Sequence, residues 1–238
     1  MGQVIAMPEI DYFNAAFEAL TGHPPLSWQN RLYRDHFASG DLPSVIDLPT
    51  GLGKTMVMAI WLIAWAKNKK LPRRLIYVVD RRTVVDQASD LAKKLRDNAD
   101  TALHLPDLAI STLRGQLADN REWSRDPSRP AIIIGTVDLI GSALLFSGYR
   151  SGYKTKPLHA GLLGQDSLLV LDEAHLSKPF EKLITSISSF QSGQGSPMKV
   201  IRMSATTAGE DAKRFKLEDA DLSDPIIKKL SENGISSG

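Results

Sequence analysis

A short apolar run, Val45-Ile46-Asp47-Leu48, leads into Pro49-Thr50-Gly51-Leu52-Gly53-Lys54-Thr55, and a long apolar stretch follows. That order calls for a strand, a tight turn and the start of a helix. In such a turn successive backbone N–H groups converge at a helix N-terminus and cradle phosphate oxygens. Gly51 and Gly53 let the backbone approach closely, and the turn from Thr50 through Leu52 supplies the N–H groups. Lys54 reaches the β- and γ-phosphates, and the Thr55 hydroxyl ligates magnesium. Leu48 stands where the general pattern has glycine or alanine. A glycine turn with an incidental Lys-Thr is the bland alternative. The strand on one side and the helix on the other argue for a nucleotide site.

The rest of the chain alternates in the same way. Short β-rich runs fall at 45–48, 75–79, 131–134, 168–171 and 199–203, with helical spacing at 55–67, 84–95, 137–146 and 180–190 between them. Runs without strict alternation mark strands buried on both faces. The expected fold is therefore α/β, a doubly wound parallel sheet in one domain. Segments 114–130 and 147–165 read as loops, the second carrying Tyr149, Arg150, Tyr153 and Lys154. A lead-in helix is expected around 12–20. After Thr207 the strands are expected to stop. The division implied is a lead-in at 1–22, a nucleotide-binding domain at 23–207 and a tail at 208–238.

Leu168-Leu169-Val170-Leu171 runs into Asp172-Glu173-Ala174-His175. Four apolar residues before two carboxylates describe a buried strand whose C-terminal end opens on a site. Asp172 is placed to hold magnesium through water, and Glu173 to orient and deprotonate an attacking water. His175 fits a coupling role. Ser204 and Thr206, after the run 199–203, are small hydroxyl residues able to relay the state of the nucleotide.

Composition closes off other classes. The chain has 238 residues, 42% hydrophobic and 24% charged, and no cysteine. That excludes disulfides, thiolate metal sites and cysteine nucleophiles. Lys+Arg is 29 against Asp+Glu 27, a net charge of +2, so no polybasic tail drives binding. The most apolar stretch, 56–66, is too short for a membrane span, and residues 1–17 lack the basic start of a secretory signal. A cytoplasmic globule with no membrane partner is the expectation.

The phosphate loop, the acidic tetrad and Ser204-Ala205-Thr206, in this order, resemble the first RecA-like domain of superfamily 2 helicases of the DEAH-box kind. The resemblance covers about 22–206 and implies ATP and magnesium as ligands. Within Pro25-Leu26-Ser27-Trp28-Gln29, it implies that Gln29 contacts the adenine edge. Three strings resemble the CRISPR-associated helicase–nuclease of type I systems. They are Val79-Asp80-Arg81-Arg82-Thr83-Val84-Val85-Asp86-Gln87, Gly135-Thr136-Val137-Asp138-Leu139-Ile140-Gly141 and Asp172-Glu173-Ala174-His175-Leu176-Ser177-Lys178-Pro179-Phe180. The Asp-Arg-Arg string is closest to the subtype (U, later G) whose helicase precedes its nuclease.

This branch implies unwinding of target DNA for degradation, with a CRISPR RNA-guided surveillance complex and a nuclease as partners. The family's nuclease uses a His-Asp pair, and none of the five histidines here precedes an aspartate. The nuclease and the second RecA-like domain with its arginine fingers are therefore expected outside these residues, the tail being the entry to the latter. A translocase subunit of a restriction complex, or a nucleotide-dependent binding module without turnover, are the alternatives. The resemblance also implies single-stranded DNA held by its phosphates along Arg81, Arg82 and Thr83, then Thr112, Arg114 and Gly115, then Thr136 and Asp138.

Overall fold

A computed structural model describes residues 9–113, 122–148, 152–173, 177–191, 193, 195–203 and 213–228. They form a parallel sheet of seven strands: β1 (Val45–Asp47), β2 (Arg74–Val79), β3 (Ala109–Leu113), β4 (Ala131–Thr136), β5 (Ser167–Asp172), β6 (Lys199–Met203) and β7 (Arg214–Lys216). The spatial order is β3-β4-β2-β5-β6-β1-β7. Tyr77 of β2 stands level with Ile134 on one side and Val170 on the other. All five expected runs are strands of this sheet.

Helices cover both faces: α1 (Glu9–Thr21), α2 (Ser27–Leu32), α3 (Val57–Asn68), α4 (Arg82–Leu103), α5 (Glu122–Arg125), α6 (Val137–Leu144), α7 (Lys156–Gly164), α8 (Lys178–Phe190) and α9 (Asp219–Leu222). The period of two along the strands divides the core. Leu75, Tyr77 and Val79 pack under α1, α3 and α4, whereas Ile76 and Val78 pack under α6 and α8. From Val57 to Trp65 every residue of α3 is buried, so this helix is a central post rather than a surface element. Trp61 satisfies its buried indole N–H on the Pro72 carbonyl at 3.0 Å. Gly135 lets two layers close: a Cβ there would lie 3.2 Å from both the Ile140 and Leu113 side chains.

Four expectations are corrected. Strand β3 was not among the apolar runs, because Ser111 and Thr112 interrupt it. Strands do not stop after Thr207: β7 pairs in parallel with β1 through Val45, Ile46 and Asp47. The segment 147–165 contains α7, where Pro157 in the first turn favours helix entry and outweighs the glycines. The segment 114–130 contains α5, anchored by buried Trp123. The lead-in helix is α1, whose Phe13, Phe17 and Leu20 lie in the same core as α3.

The two sheet borders are closed differently. At β3, the Ile110 N–H donates to the Glu122 carboxylate at 3.3 Å. At β7, Phe215 is buried and flanked by Arg214 and Lys216. Arg214 pairs with Asp47 at 3.1 Å. Arg31 of α2 clamps this segment, its Nε and Nη2 donating to Asp221 Oδ2 at 3.1 and 2.5 Å. Its guanidinium also lies 4.2 Å from the Phe215 ring centre. Among the described residues, no helix is long and apolar enough to cross a membrane.

Candidate nucleotide-binding site

Strand β1 ends at Asp47, and the chain turns through residues 48–53 into a 3-10 turn, Lys54–Met56, before α3. Gly51 and Gly53 have φ of +84° and +70°, a region that side chains disfavour. Leu48 is fully buried in the core beneath the turn, which accounts for a large residue at a position usually small. Thr50 and Gly51 face outward, Leu52 is buried, and Gly53 is exposed. Gln29, also buried, lies against the loop: a Cβ on Gly53 would come 3.6 Å from its Nε2. Its Oε1 accepts the Leu26 N–H at 2.9 Å, which leaves the amide nitrogen on the loop side.

Lys54 is only 8% exposed, and its Nζ lies 3.5 Å from Glu173 Oε1. The motifs at the ends of β1 and β5, with β6 between them, therefore meet across one sheet edge. That is where open α/β sheets bind ligands. Glu173 has a φ of +53°, unusual for a residue with a Cβ, and this bend turns its side chain off the line of β5 toward Lys54. Asp172 Oδ2 accepts the Tyr77 phenol at 2.7 Å, while its Oδ1 is buried with no hydrogen-bond partner. Burial pushes the Asp172 carboxyl above its ordinary range, with the Tyr77 hydrogen bond and Lys54 pulling the other way. Burial likewise raises the Tyr77 phenol well above its usual value.

The donors present fit a magnesium ion. Thr55 offers a hydroxyl and Asp172 a buried carboxylate oxygen with no other partner. Among the described residues no group of three or more His, Asp or Glu forms a metal cage. Magnesium takes its remaining ligands from water and phosphate, so a sparse oxygen set suits it.

The proposed nucleic-acid residues lie along the other half of the same edge. Val79 at the end of β2 stands level with Thr136 at the end of β4, and Leu113 of β3 with Gly135. Arg81, Arg82 and Thr83 are exposed where α4 begins, and Asp138 is exposed in the first turn of α6. Thr136 is the residue just before α6. Thr112 is more committed, its hydroxyl 2.9 Å from that of Ser89 on α4. His175, Ser204, Thr206, Arg114 and Gly115 lie outside the described residues, as do Tyr149 and Arg150.

Sequence reasoning missed Tyr77. The available sign was one hydroxyl-bearing ring in the otherwise aliphatic run 75–79.

Sheet order and strand-end loops define a RecA-like domain of the helicase class. A family model for DEAD/DEAH box helicases matches residues 31–215, and the chain belongs to that family. It is similar to the helicase MrfA bound to DNA and AMPPNP, with 17% identity and a TM-score of 0.62, over 90% of this chain and 30% of that one. A DEAD-box helicase bound to single-stranded RNA and UDP-BeF gives 21% identity and a TM-score of 0.56, over 92% and 40%. A nuclease-deletion mutant of the Type ISP restriction-modification enzyme LlaGI, with a DNA substrate mimic, gives 14% and 0.55, over 90% and 22%. At these identities the likeness establishes the fold. The chain spans less than half of each of these structures. No curated protein matches it.

Proposed function

We propose that residues 1–238 form the ATP–magnesium-binding half of a cytoplasmic, DNA-directed motor. The convergence of Lys54 with Asp172 and Glu173 at one sheet edge carries this reading. Thr50 to Gly53 present backbone N–H groups, Lys54 leaves Glu173 for the β- and γ-phosphates, and Gln29 meets the adenine. Thr55 and Asp172 would hold magnesium, which when bound would supply positive charge against the phosphates. Released from Lys54, Glu173 orients water for in-line attack and takes its proton. His175, Ser204 and Thr206 pass the change on. Arginine fingers on a second RecA-like domain complete the site, and without them the rate is lower by 10³ or more.

The expected result is magnesium-dependent binding of mant-ATP, displaced by ATP, with slow phosphate release. Mant-ATP that neither binds nor yields to ATP would overturn the reading.

Single-stranded DNA follows the strand ends β2, β4 and β3 through Arg81, Arg82, Thr83, Thr136, Thr112 and Arg114. Exposed Arg81, Arg82 and Thr83, with half-buried Thr136 beside them, suit phosphates, and no run of aromatics is there to read bases. Each phosphate contact on a single strand adds about 0.7 to the salt slope, so log affinity against log salt should fall with slope about −1 to −3. Fluorescence anisotropy with two unrelated oligonucleotides should give the same slope. Replacing Arg81 and Arg82 by alanine should flatten it toward zero, by up to about 1.4. A strong preference for one oligonucleotide would place the DNA path elsewhere.

The strings around Asp80, Gly135 and Asp172 support a role in CRISPR interference, beside an RNA-guided surveillance complex and a nuclease. CRISPR repeats beside the gene would support that role, and a restriction methylase there would favour a translocase subunit.

A further inference from the structure

Tyr77 sits in the middle of β2, fully buried between the aliphatic neighbours of its own strand. A phenylalanine would fill the same space, so packing alone does not call for the hydroxyl. That hydroxyl touches both parts of the site. It donates to Asp172 Oδ2 at 2.7 Å, and it also interacts with the side chain of Thr55. Asp172 and Thr55 lie far apart in the chain, yet one phenol serves both. A carboxylate whose one oxygen is held cannot rotate freely about χ2, and the other oxygen, Oδ1, is the buried atom with no partner.

We propose that Tyr77 is a positioning residue for the magnesium site, fixing Asp172 so that Oδ1 faces the cation and tying that carboxylate to the threonine of the phosphate loop. This rests on the reading of Thr55 and Asp172 as the magnesium pair. Groups that hydrogen-bond a metal ligand from behind fix its orientation, and losing one weakens metal affinity about 10- to 100-fold. Tyr77 acts through Asp172 and does not meet the nucleotide.

The test is a MgCl2 titration of mant-ATP fluorescence on the whole chain, for wild type, Tyr77→Phe, Asp172→Asn and the double variant. Tyr77→Phe should keep the magnesium-free affinity of wild type and need about 10-fold more MgCl2 for half-saturation. In the Asp172→Asn background Tyr77→Phe should add nothing further. A role confined to packing would instead lower the unfolding midpoint and weaken magnesium-free binding, with the MgCl2 midpoint unmoved. Tyr77→Leu, an aliphatic filler for an aliphatic run, should reproduce the raised midpoint if the phenylalanine variant does not fold. An unchanged MgCl2 midpoint in the hydroxyl-less variants, beside a responsive wild type, overturns the proposal and leaves the site reading standing. A wild-type protein indifferent to MgCl2 overturns both.

Discussion

Lys54→Ala is expected to weaken ATP binding by two orders of magnitude or more, whereas Glu173→Gln keeps binding and stops hydrolysis. The lysine is almost buried and lies 3.5 Å from Glu173, with Asp172 also in its field, so its charge is available to a phosphate at low cost in side-chain reorganisation. Removing one partner of a buried charged contact costs about 2–5 kcal/mol, and every 1.4 kcal/mol is about tenfold in affinity. Glutamine at 173 keeps the shape and removes the proton acceptor, which typically costs about 10² to 10⁴ in rate. It also frees Lys54 from its carboxylate, so affinity in that variant should equal or exceed wild type. Mant-ATP titration and single-turnover phosphate release separate the two effects. Equal loss of affinity in both variants would remove Glu173 from the role of base.

Arg31→Ala should lower stability by about 3 kcal/mol, the low end for a buried ion pair broken from one side. Asp221 is 3% exposed in its side chain, and among the described residues it keeps without Arg31 the Glu218 N–H at 3.0 Å. For a chain of this size that corresponds to a melting point roughly 6–12 °C lower. Arg31→Lys should recover part of the loss, since it restores charge without the planar fork. Glu218→Ala should cost under about 1 kcal/mol, because its carboxylate is 63% exposed. Denaturant unfolding ranks the three. A shift below about 1 kcal/mol for Arg31→Ala would mean that the segment 213–228 is only loosely held.

What could be read from the sequence was local. The phosphate loop and the acidic strand end each declare themselves within about ten residues, because backbone geometry there demands glycines, a lysine and an abrupt change from apolar to acidic. Strands β2, β4 and β5 are buried on both faces and read as unbroken apolar runs. The elements that were missed lack such a pattern. Strand β7 has one apolar residue in three, and only its ladder to β1 makes it a strand. The contact between Tyr77 and Asp172 spans 95 positions, and nothing near either residue announces the other. That the phosphate loop and the acidic motif belong to one domain was read from their order along the chain, but the contact of Lys54 with Glu173 and the bend that aims the carboxylate, a left-handed Glu173, have no sequence signature.

The sheet's borders bear on how this protein behaves at high concentration. A parallel sheet ends in rows of backbone groups that recruit strands from other molecules. Here one border spends a backbone N–H on the Glu122 carboxylate, and the other is three residues long with a cation on each side of Phe215. A second copy approaching either rim meets charged side chains before it meets hydrogen-bonding backbone, Glu122 beside Arg96 at one and Arg214 and Lys216 at the other. Replacing Glu122 and Lys216 by neutral residues is therefore expected to raise edge-to-edge association at high concentration, read as increased light scattering beside the wild type.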